Sequence, residues 1–152
     1  MTVPVYLGLG ANLGDALATL SWAIGQIGQL PLTQLQNSSS FYRTAPVDAK
    51  GPDFVNAVVS IATGMTPHDL LAALQNLELL AGRERPFRNA PRTLDIDILL
   101  FDDCQFNSIE LALPHPRMLQ RAFVLVPLHE IAPQLVSLSQ LAAVADQDVS
   151  RI

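Results

Sequence analysis

Two aspartates separated by one residue mark the stretch of this chain best suited to metal chemistry. Between residues 94 and 100, aliphatic side chains alternate with Asp95, Asp97 and Leu99, and this period of two predicts a β-strand. Its apolar face would be formed by Leu94, Ile96, Ile98 and Leu100. The other face would carry two carboxylates roughly 6.5–7 Å apart along the strand. Like charges on one face repel, and a hard cation such as Mg²⁺ prefers carboxylate oxygens, so we expect a buried metal-binding pair. The alternative is a solvated strand face with two incidental acids.

Arginines gather close to this aspartate pair. The chain has a net charge of −5 and Lys50 is its only lysine, which argues against broad binding to nucleic acid. Most of the cations fall in one quarter of the chain, at Arg83, Arg85, Arg88, Arg92, Arg117 and Arg121. The planar guanidinium suits phosphate and carboxylate groups. The clustering therefore predicts a small polyanion that binds together with a metal.

Length and composition are typical of one globular domain spanning residues 1–152. The 152 residues are 49% hydrophobic and 15% charged, which excludes a disordered chain. Cys104 is the single cysteine, so no disulfide framework is expected. No basic segment precedes the first apolar run, and no apolar run is long enough to cross a bilayer. We expect a cytoplasmic protein with no membrane partner.

Periodicity and capping signals predict an α+β domain. Three further strands are expected at Val3–Gly10, Ser38–Thr44 and Phe54–Ile61. Helices are expected from Leu17 to Ile27 (with Leu17, Leu20, Ile24 and Ile27 inward), from Pro67 to Ala81 (with Leu70, Leu74, Leu77 and Ala81 inward), from about Met118 to Ile131, and around Leu138 to Ala142. Arg83–Pro91 is expected to be a loop. The order β-α-β-β-α-β with a helical tail predicts an antiparallel-rich sandwich of the split βαβ type.

The glycines at positions 8, 10 and 14 follow the first predicted strand. They do not form a dinucleotide site, because no acidic residue lies between Asp15 and Asp48 and a second βαβ unit is missing. They do not form a P-loop either, because no Gly-Lys-Ser/Thr sequence follows. We expect the glycines to serve a tight strand-to-helix turn.

Several blocks of the sequence resemble one family, the 6-hydroxymethyl-7,8-dihydropterin pyrophosphokinases of folate biosynthesis. The family signature is similar to the segment 88–99, which contains Pro91, Arg92, Asp95 and Asp97. Further similar blocks are Gly8–Gly14, Ser39–Pro46, Phe54–Ala57, Pro114–Met118 and Arg121–Phe123.

The resemblance implies a ferredoxin-like α+β sandwich that transfers the β,γ-pyrophosphoryl group of ATP to the hydroxymethyl oxygen of the pterin, releasing AMP. It implies two Mg²⁺ ions held by Asp95 and Asp97, and catalytic roles for Arg83 and Arg92. The implied ATP contacts are Gln75, Glu78, Arg83, Arg92, Ile98, His115 and Arg121. The implied pterin contacts are Thr44, Ala45, Val47, Phe54, Asn56 and Phe123, with the ring between the two phenylalanines. A monomer is expected.

Two other functions remain open at this point. A ferredoxin-like binding or regulatory module would bind a small molecule without turnover, and it would not need two aspartates beside an arginine-rich loop. A metal-dependent phosphohydrolase would use the same carboxylates. Formation of AMP that depends on the added pterin would separate all three functions.

Overall fold

An antiparallel sheet organises the chain. The computed structural model describes residues 1–12, 14–45, 52–82 and 94–152. Its strands are β1 (Val3–Ala11), β2 (Thr33–Ser38), β3 (Tyr42–Thr44), β4 (Phe54–Thr63), β5 (Asp95–Phe101), β6 (Phe106–Asn107), β7 (Ala112–Leu113) and β8 (Val149–Arg151). Its helices are α1 (Ala16–Ile27), α2 (Pro67–Ala81), α3 (Ala122–Ile131) and α4 (Leu138–Ala143), with 3-10 turns at Met118–Gln120 and Pro133–Leu135. The predicted α+β class is confirmed.

The strand order identifies the topology. Within the described residues, the main sheet runs β5-β1-β4-β3-β8, and β2 also pairs with β4. All of these pairs are antiparallel. Strands β2 and β3 lie along the same edge of β4, so together they replace one long strand. When β2 and β3 are counted as one strand, the strand order is that of a ferredoxin-like split βαβ fold.

Local sequence signals explain where the two long helices begin. The Asp15 side chain accepts a hydrogen bond from the Ala18 N–H at 3.1 Å, and Thr66 accepts one from the Asp69 N–H at 3.2 Å. Each supplies a partner to an amide that has none inside its helix. Pro67 then occupies the first turn of α2, where its missing N–H costs nothing.

The buried residues of α2 agree with the inward-facing residues predicted for it. Those of α1 agree only in part. Leu70, Leu74 and Leu77 of α2 are buried as predicted. In α1, Leu20 and Ile27 are buried, but Leu17 is 37% exposed. Ala23 is fully buried instead, because the face of α1 that meets the sheet is rotated from the one expected.

The sheet separates two hydrophobic cores. Helices α1 and α2 cover one face, over side chains that include Val5, Leu7, Leu9, Ile61, Ile96 and Ile98. Helix α3 covers part of the other face, over Val58 and Leu99. Strands β1, β4 and β5 therefore send alternate side chains into different layers. Within the described ranges, none of the helices has the length and apolar character needed to cross a membrane.

The predicted strand Ser38–Thr44 is confirmed at Tyr42–Thr44, which form β3, but its continuity is wrong, because the chain leaves the ladder after Ser38. Ser39 uses its side chain here: its Oγ accepts from the Val58 N–H at 2.9 Å. The Ser40 N–H donates to a Glu130 carboxylate oxygen at 3.0 Å. These side-chain contacts satisfy backbone groups that a continuous strand would have paired.

The predicted alternation along β5 holds only as far as Ile98. A bulge opposite Tyr6 and Leu7 shifts the register of β5 against β1. Beyond it, Leu100 packs against the α3 core and Phe101 against the α1–α2 core. The predicted place of Leu100 beside Leu94, Ile96 and Ile98 is therefore wrong, since a bulge adds a residue to one strand and reverses the side-chain alternation.

Two predictions near the C-terminal end also need correction. The helix predicted from Met118 is interrupted at Arg121, whose backbone is extended, with φ −126° and ψ 113°. A 3-10 turn precedes this residue and α3 follows it. Strand β8, which the sequence pattern did not predict, adds an edge to the sheet beside β3.

Candidate active site

A cavity of about 670 Å³ lies over the part of the sheet that α3 does not cover. It is lined by strands β1, β3, β4 and β5, by the start of α3, and by residues just before and within β8. The residues predicted for the site that line it are Thr44, Ala45, Phe54, Asn56, Asp95, Asp97, Arg121 and Phe123. The fold therefore brings the five described pterin contacts of the prediction and the two predicted metal ligands into one space.

At one end of the cavity, Asn56 is held in a defined orientation. It is 5% exposed, and its Oδ1 accepts a hydrogen bond from the buried Thr44 hydroxyl at 2.8 Å. Its Nδ2 lies over Gly10, where a Cβ would come within 2.9 Å of it. Because Thr44 occupies the amide oxygen, Asn56 presents its NH₂ group, which can donate to an acceptor on a bound ligand.

Two phenylalanines line the same cavity as this buried amide. Phe54 and Phe123 are each partly buried and both line the cavity. The Arg121 guanidinium carbon lies 5.4 Å from the centre of the Phe123 ring, a distance typical of a cation–π contact. The partial exposure of both rings leaves surface for contact with a flat ligand, while Phe123 also packs against the α3 core.

At the other end, β5 presents the two aspartates. Both Asp95 and Asp97 are exposed, while Leu94, Ile96 and Ile98 point into the opposite core. The alternation was predicted correctly here, but the carboxylates are not buried as expected. They stand on the cavity wall, where solvent and a ligand can reach them.

These two carboxylates fit a particular kind of metal binding. Within the described residues, no group of three or more His, Cys, Asp or Glu side chains could form a complete metal cage. Mg²⁺ is usually held in proteins by one or two carboxylates together with substrate phosphates and water. Asp95 and Asp97, exposed on the wall of a cavity large enough for a nucleotide, offer this donor set.

His115 lies beside Asp97. Its Nε2 is 4.0 Å from the Asp97 Oδ2, and its Nδ1 accepts a hydrogen bond from the Arg117 N–H at 3.2 Å. Burial lowers the pKa of His115 below its ordinary value of 6.5 and outweighs the Asp97 carboxylate, which raises it. The neutral ring therefore carries its proton on Nε2, so this nitrogen can donate toward an anion near Asp97.

Two other predicted ATP contacts, Glu78 and Ile98, lie at the outer edge of β5, and a third, Gln75, lies on α2. None of the three is among the described residues that line the cavity. The Glu78 Oε2 accepts a hydrogen bond from the Ile96 N–H at 2.8 Å, and Gln75 is exposed on the same helix. The Ile98 side chain is only 4% exposed. Since Ile96 directs its N–H away from β1, Ile98 two residues later directs its backbone groups to the same side. Only those backbone groups could meet a ligand.

Three predicted site residues, Val47, Arg83 and Arg92, lie outside the described residues. The predicted loop Arg83–Pro91 lies outside them as well.

Sequence reasoning missed the role of two glycines. Gly8 and Gly10 lie inside β1 and line the cavity, so they do not belong to the predicted turn, which contains only Gly14 with φ +61°. Gly10 pairs with Asn56 on one side and with Asp95 on the other. A side chain at this position would fill the space between them. Two glycines spaced by two inside a strand pattern were the available signal.

Sequence reasoning also assigned no role to the chain beyond Val136. Gln147, Asp148 and Val149 nevertheless line the cavity. No short-range pattern marks these residues, because their position depends on pairing between β8 and β3.

The fold and the cavity define a ferredoxin-like α+β protein with a carboxylate-bearing small-molecule site. Residues 6–133 match the family described as 7,8-dihydro-6-hydroxymethylpterin-pyrophosphokinase (HPPK). The chain is 45% identical to the 2-amino-4-hydroxy-6-hydroxymethyldihydropteridine pyrophosphokinase of Methylorubrum extorquens over 132 residues, covering 86% of this chain and 84% of that protein. It is 39% identical to the protein of the same name from Bacillus subtilis, covering 97% and 88%.

Solved structures support the fold. Wild-type Plasmodium falciparum HPPK-DHPS matches with a TM-score of 0.68 at 16% identity, covering 88% of this chain and 38% of that one. An HPPK-DHPS in complex with substrates matches with a TM-score of 0.68 at 15% identity, covering 92% and 42%. The chain thus spans about two fifths of the length of these larger proteins.

The chain belongs to the HPPK family. It is an ATP-dependent pyrophosphokinase that transfers a pyrophosphoryl group to hydroxymethyldihydropterin in folate biosynthesis.

Proposed function

We propose that the cavity carries out this reaction by placing the pterin at its Asn56 end and the ATP phosphates at its Asp95–Asp97 end. The β,γ-pyrophosphoryl group of ATP would pass to the pterin hydroxymethyl oxygen, giving the pterin diphosphate and AMP. The observation that carries this proposal is that Gly10 lies between Asn56 and Asp95 in the sheet. Without a side chain at that position, two ligands can meet there.

The pterin end is suited to a flat heterocycle with a polar edge. Phe54 and Phe123 offer ring faces, and the oriented NH₂ group of Asn56 offers a donor that costs energy if left unpaired. Ala45 and Val47, which follow Thr44 in the sequence, would contact the pterin through their backbone groups. A buried donor of this kind discriminates strongly against a ring that lacks the matching acceptor.

The phosphate end is suited to polyanion binding. Asp95 and Asp97 would hold two Mg²⁺ ions together with the ATP phosphates. When bound, these ions neutralise charge on the phosphate oxygens. The His115 Nε2–H and the Arg121 guanidinium would donate to phosphate oxygens nearby. Arg83 and Arg92 would act as catalytic residues on the transferred group, while Gln75, Glu78 and the backbone of Ile98 would bind the nucleotide along the outer edge of β5.

The domain organisation, oligomeric state and location of the protein belong to the same proposal. Residues 1–152 would form a single pyrophosphokinase domain, since the first and the last described strands, β1 and β8, belong to the same sheet. The enzyme would act as a monomer in the cytoplasm, without a membrane partner and, given its net charge of −5, without a nucleic acid partner. Sedimentation equilibrium would test the monomer, and a dimer at micromolar concentration would contradict it.

The decisive experiment measures AMP in the presence of ATP and Mg²⁺, with and without 6-hydroxymethyl-7,8-dihydropterin. We expect AMP only with the pterin, in a 1:1 ratio to the pterin diphosphate, and loss of product when Mg²⁺ is chelated. Nucleotide hydrolysis that ignores the pterin would indicate a phosphohydrolase. Metal-independent pterin binding without product would indicate a binding module. Calorimetric titration of Mg²⁺ with a non-hydrolysable ATP analogue tests the number of ions.

A further inference from the structure

Gln147 spans the break between the 3-10 turn and α3 with both ends of its side chain. Its Oε1 accepts a hydrogen bond from the Ala122 N–H at 2.9 Å, and its Nε2 donates one to the Gln120 carbonyl at 2.9 Å. These two backbone groups flank Arg121. One amide side chain therefore fixes the chain on both sides of a single residue.

Arg121 itself makes local backbone hydrogen bonds, since its N–H donates to the Met118 carbonyl at 3.4 Å and its carbonyl accepts from the Val124 N–H at 3.1 Å. Gln147 adds a long-range contact to the backbone group on each side of it. Arg121 is extended between two helical segments, and its own side chain makes no capping hydrogen bond to α3. The Ala122 N–H is one of the first amides of α3 and would otherwise have no partner inside the helix. Gln147 supplies that partner from 25 residues further along the chain.

Arg121 and Phe123 face the cavity from this break. Both line it, and the guanidinium of Arg121 lies 5.4 Å from the ring centre of Phe123. One belongs to the proposed phosphate end and the other to the proposed pterin end. A change in the backbone at Arg121 would therefore move a contact at each end.

Gln147 is itself anchored to the sheet. Strand β8 begins two residues later, where Val149 pairs with Thr44. Further along β8, Arg151 donates to the Tyr42 hydroxyl at 3.2 Å and lies 3.5 Å from the Glu130 carboxylate. The segment that carries Gln147 is thus tied to the same strand that orients Asn56 through Thr44.

We infer that Gln147 is a positioning residue for pyrophosphoryl transfer, which holds Arg121 and Phe123 in the arrangement that lets phosphate and pterin meet. It contacts the backbone and no reacting atom in this role. The inference rests on the proposed placement of the two substrates.

The test replaces Gln147 by Met, which has a similar size but can form neither hydrogen bond. The matched control is Gln140→Met. Gln140 also accepts a backbone hydrogen bond, from the Ser137 N–H at 2.9 Å, in the same part of the chain, but it does not line the cavity. We expect Gln147→Met to lower kcat/KM for the pterin by roughly tenfold or more, the scale of losing two hydrogen bonds. Gln140→Met should stay within about twofold of the wild type.

Two further measurements separate positioning from stability. The loss of kcat/KM in Gln147→Met should persist at temperatures well below the thermal midpoint of that variant. Gln147→Glu keeps the acceptor for the Ala122 N–H, so it should recover part of the activity. If Gln147→Met does not fold, the Glu variant carries the test, with a deficit in kcat/KM expected at an unchanged midpoint. Equal kinetics for Gln147→Met and Gln140→Met would overturn the inference, as would a defect that disappears on cooling. If the wild type forms no pterin-dependent AMP, the proposed function fails first and the inference falls with it.

Discussion

The two faces of the sheet have different compositions, although the same strands supply both. The face under α1 and α2 is continuous and apolar, with Leu7, Ile61 and Ile98 buried in it. The opposite face carries Gly10, Asn56 and Asp95 where the cavity opens. Since side chains alternate along a strand, each strand can contribute to stability on one side and to chemistry on the other. A change at one residue should therefore affect mainly one of these properties.

The cavity face is itself divided. Beneath α3, Val58 and Leu99 pack against Leu125 and Leu128 in a small second core. The strands continue past the start of α3, and there the side chains become small or polar. The site exists because α3 begins at Ala122 and leaves this part of the sheet uncovered.

The largest expected effect is on the cavity face, at the two carboxylates. Asp95→Ala and Asp97→Ala should each lower the rate of pyrophosphoryl transfer by roughly 10³-fold or more, because each removes a metal ligand. The free energy of unfolding should stay the same or rise, since both groups are exposed and their mutual repulsion is relieved. AMP formation and urea unfolding measure the two quantities. The control is Asp103→Ala, at an exposed aspartate just after β5. Near-normal turnover in Asp95→Ala or Asp97→Ala would contradict the assignment of that residue as a metal ligand.

On the apolar face, we expect a substitution to lower stability and to leave the catalytic rate nearly unchanged. Leu74→Ala should lower the free energy of unfolding by about 2–5 kcal/mol, because Leu74 is 1% exposed and its loss leaves a void. Well below the thermal midpoint, kcat should stay within about twofold of the wild type. Leu79→Ala on the same helix is the control: at 70% exposure it should change stability by less than about 0.5 kcal/mol. Comparable loss of stability in both variants would contradict the assignment of the core.

A substitution at Gly10 tests the boundary between the two ends of the cavity. Gly10→Ala places a Cβ 2.9 Å from the Asn56 Nδ2, so the amide must move and its donor is displaced. We expect pterin affinity to fall by about tenfold, with a smaller change for an ATP analogue, as measured by calorimetry.

Gly25→Ala is the matched control for this glycine, because apart from its chain neighbours and the adjacent backbone of its own helix no described atom lies within 4 Å of the added Cβ. In the interior of α1 it should raise stability by roughly 0.5–1 kcal/mol and leave pterin binding unchanged. Equal ligand affinities in the two variants would mean that Gly10 does not shape the site.

The smallest expected effect concerns the contacts that tie β8 to the sheet. Burial raises the pKa of Glu130, but hydrogen bonds from Tyr42 and Ser40 outweigh it and bring this pKa below its ordinary value of 4.5. The ionised carboxylate therefore stabilises the fold above that value, and this contribution is lost as the pH falls through the lowered pKa. Glu130→Gln should cost at most about 1 kcal/mol near pH 7. Urea unfolding from pH 7 to pH 3 should show the difference from the wild type shrinking, and a constant difference would contradict this account.

Local patterns were sufficient to predict much of this molecule. The alternation around Asp95 and Asp97 correctly placed both carboxylates on one face of a strand. The predicted start of α2 at Pro67 is confirmed, with Thr66 as its cap. These predictions hold because alternation and capping depend on residues a few positions apart.

The remaining features depend on contacts between distant parts of the chain, and only the tertiary structure decided them. The bulge between β1 and β5 moved Leu100 to the other core. Contacts of Ser39 with Val58, and of Ser40 with Glu130, interrupted a predicted strand. Gln147 spans the break at Arg121 by a contact with Ala122, 25 residues away. The residue types alone thus determined which faces carry apolar groups and which carry chemistry. Which hydrogen-bonding groups meet across the fold was decided by packing, because a buried polar group takes whichever partner the folded chain brings near it.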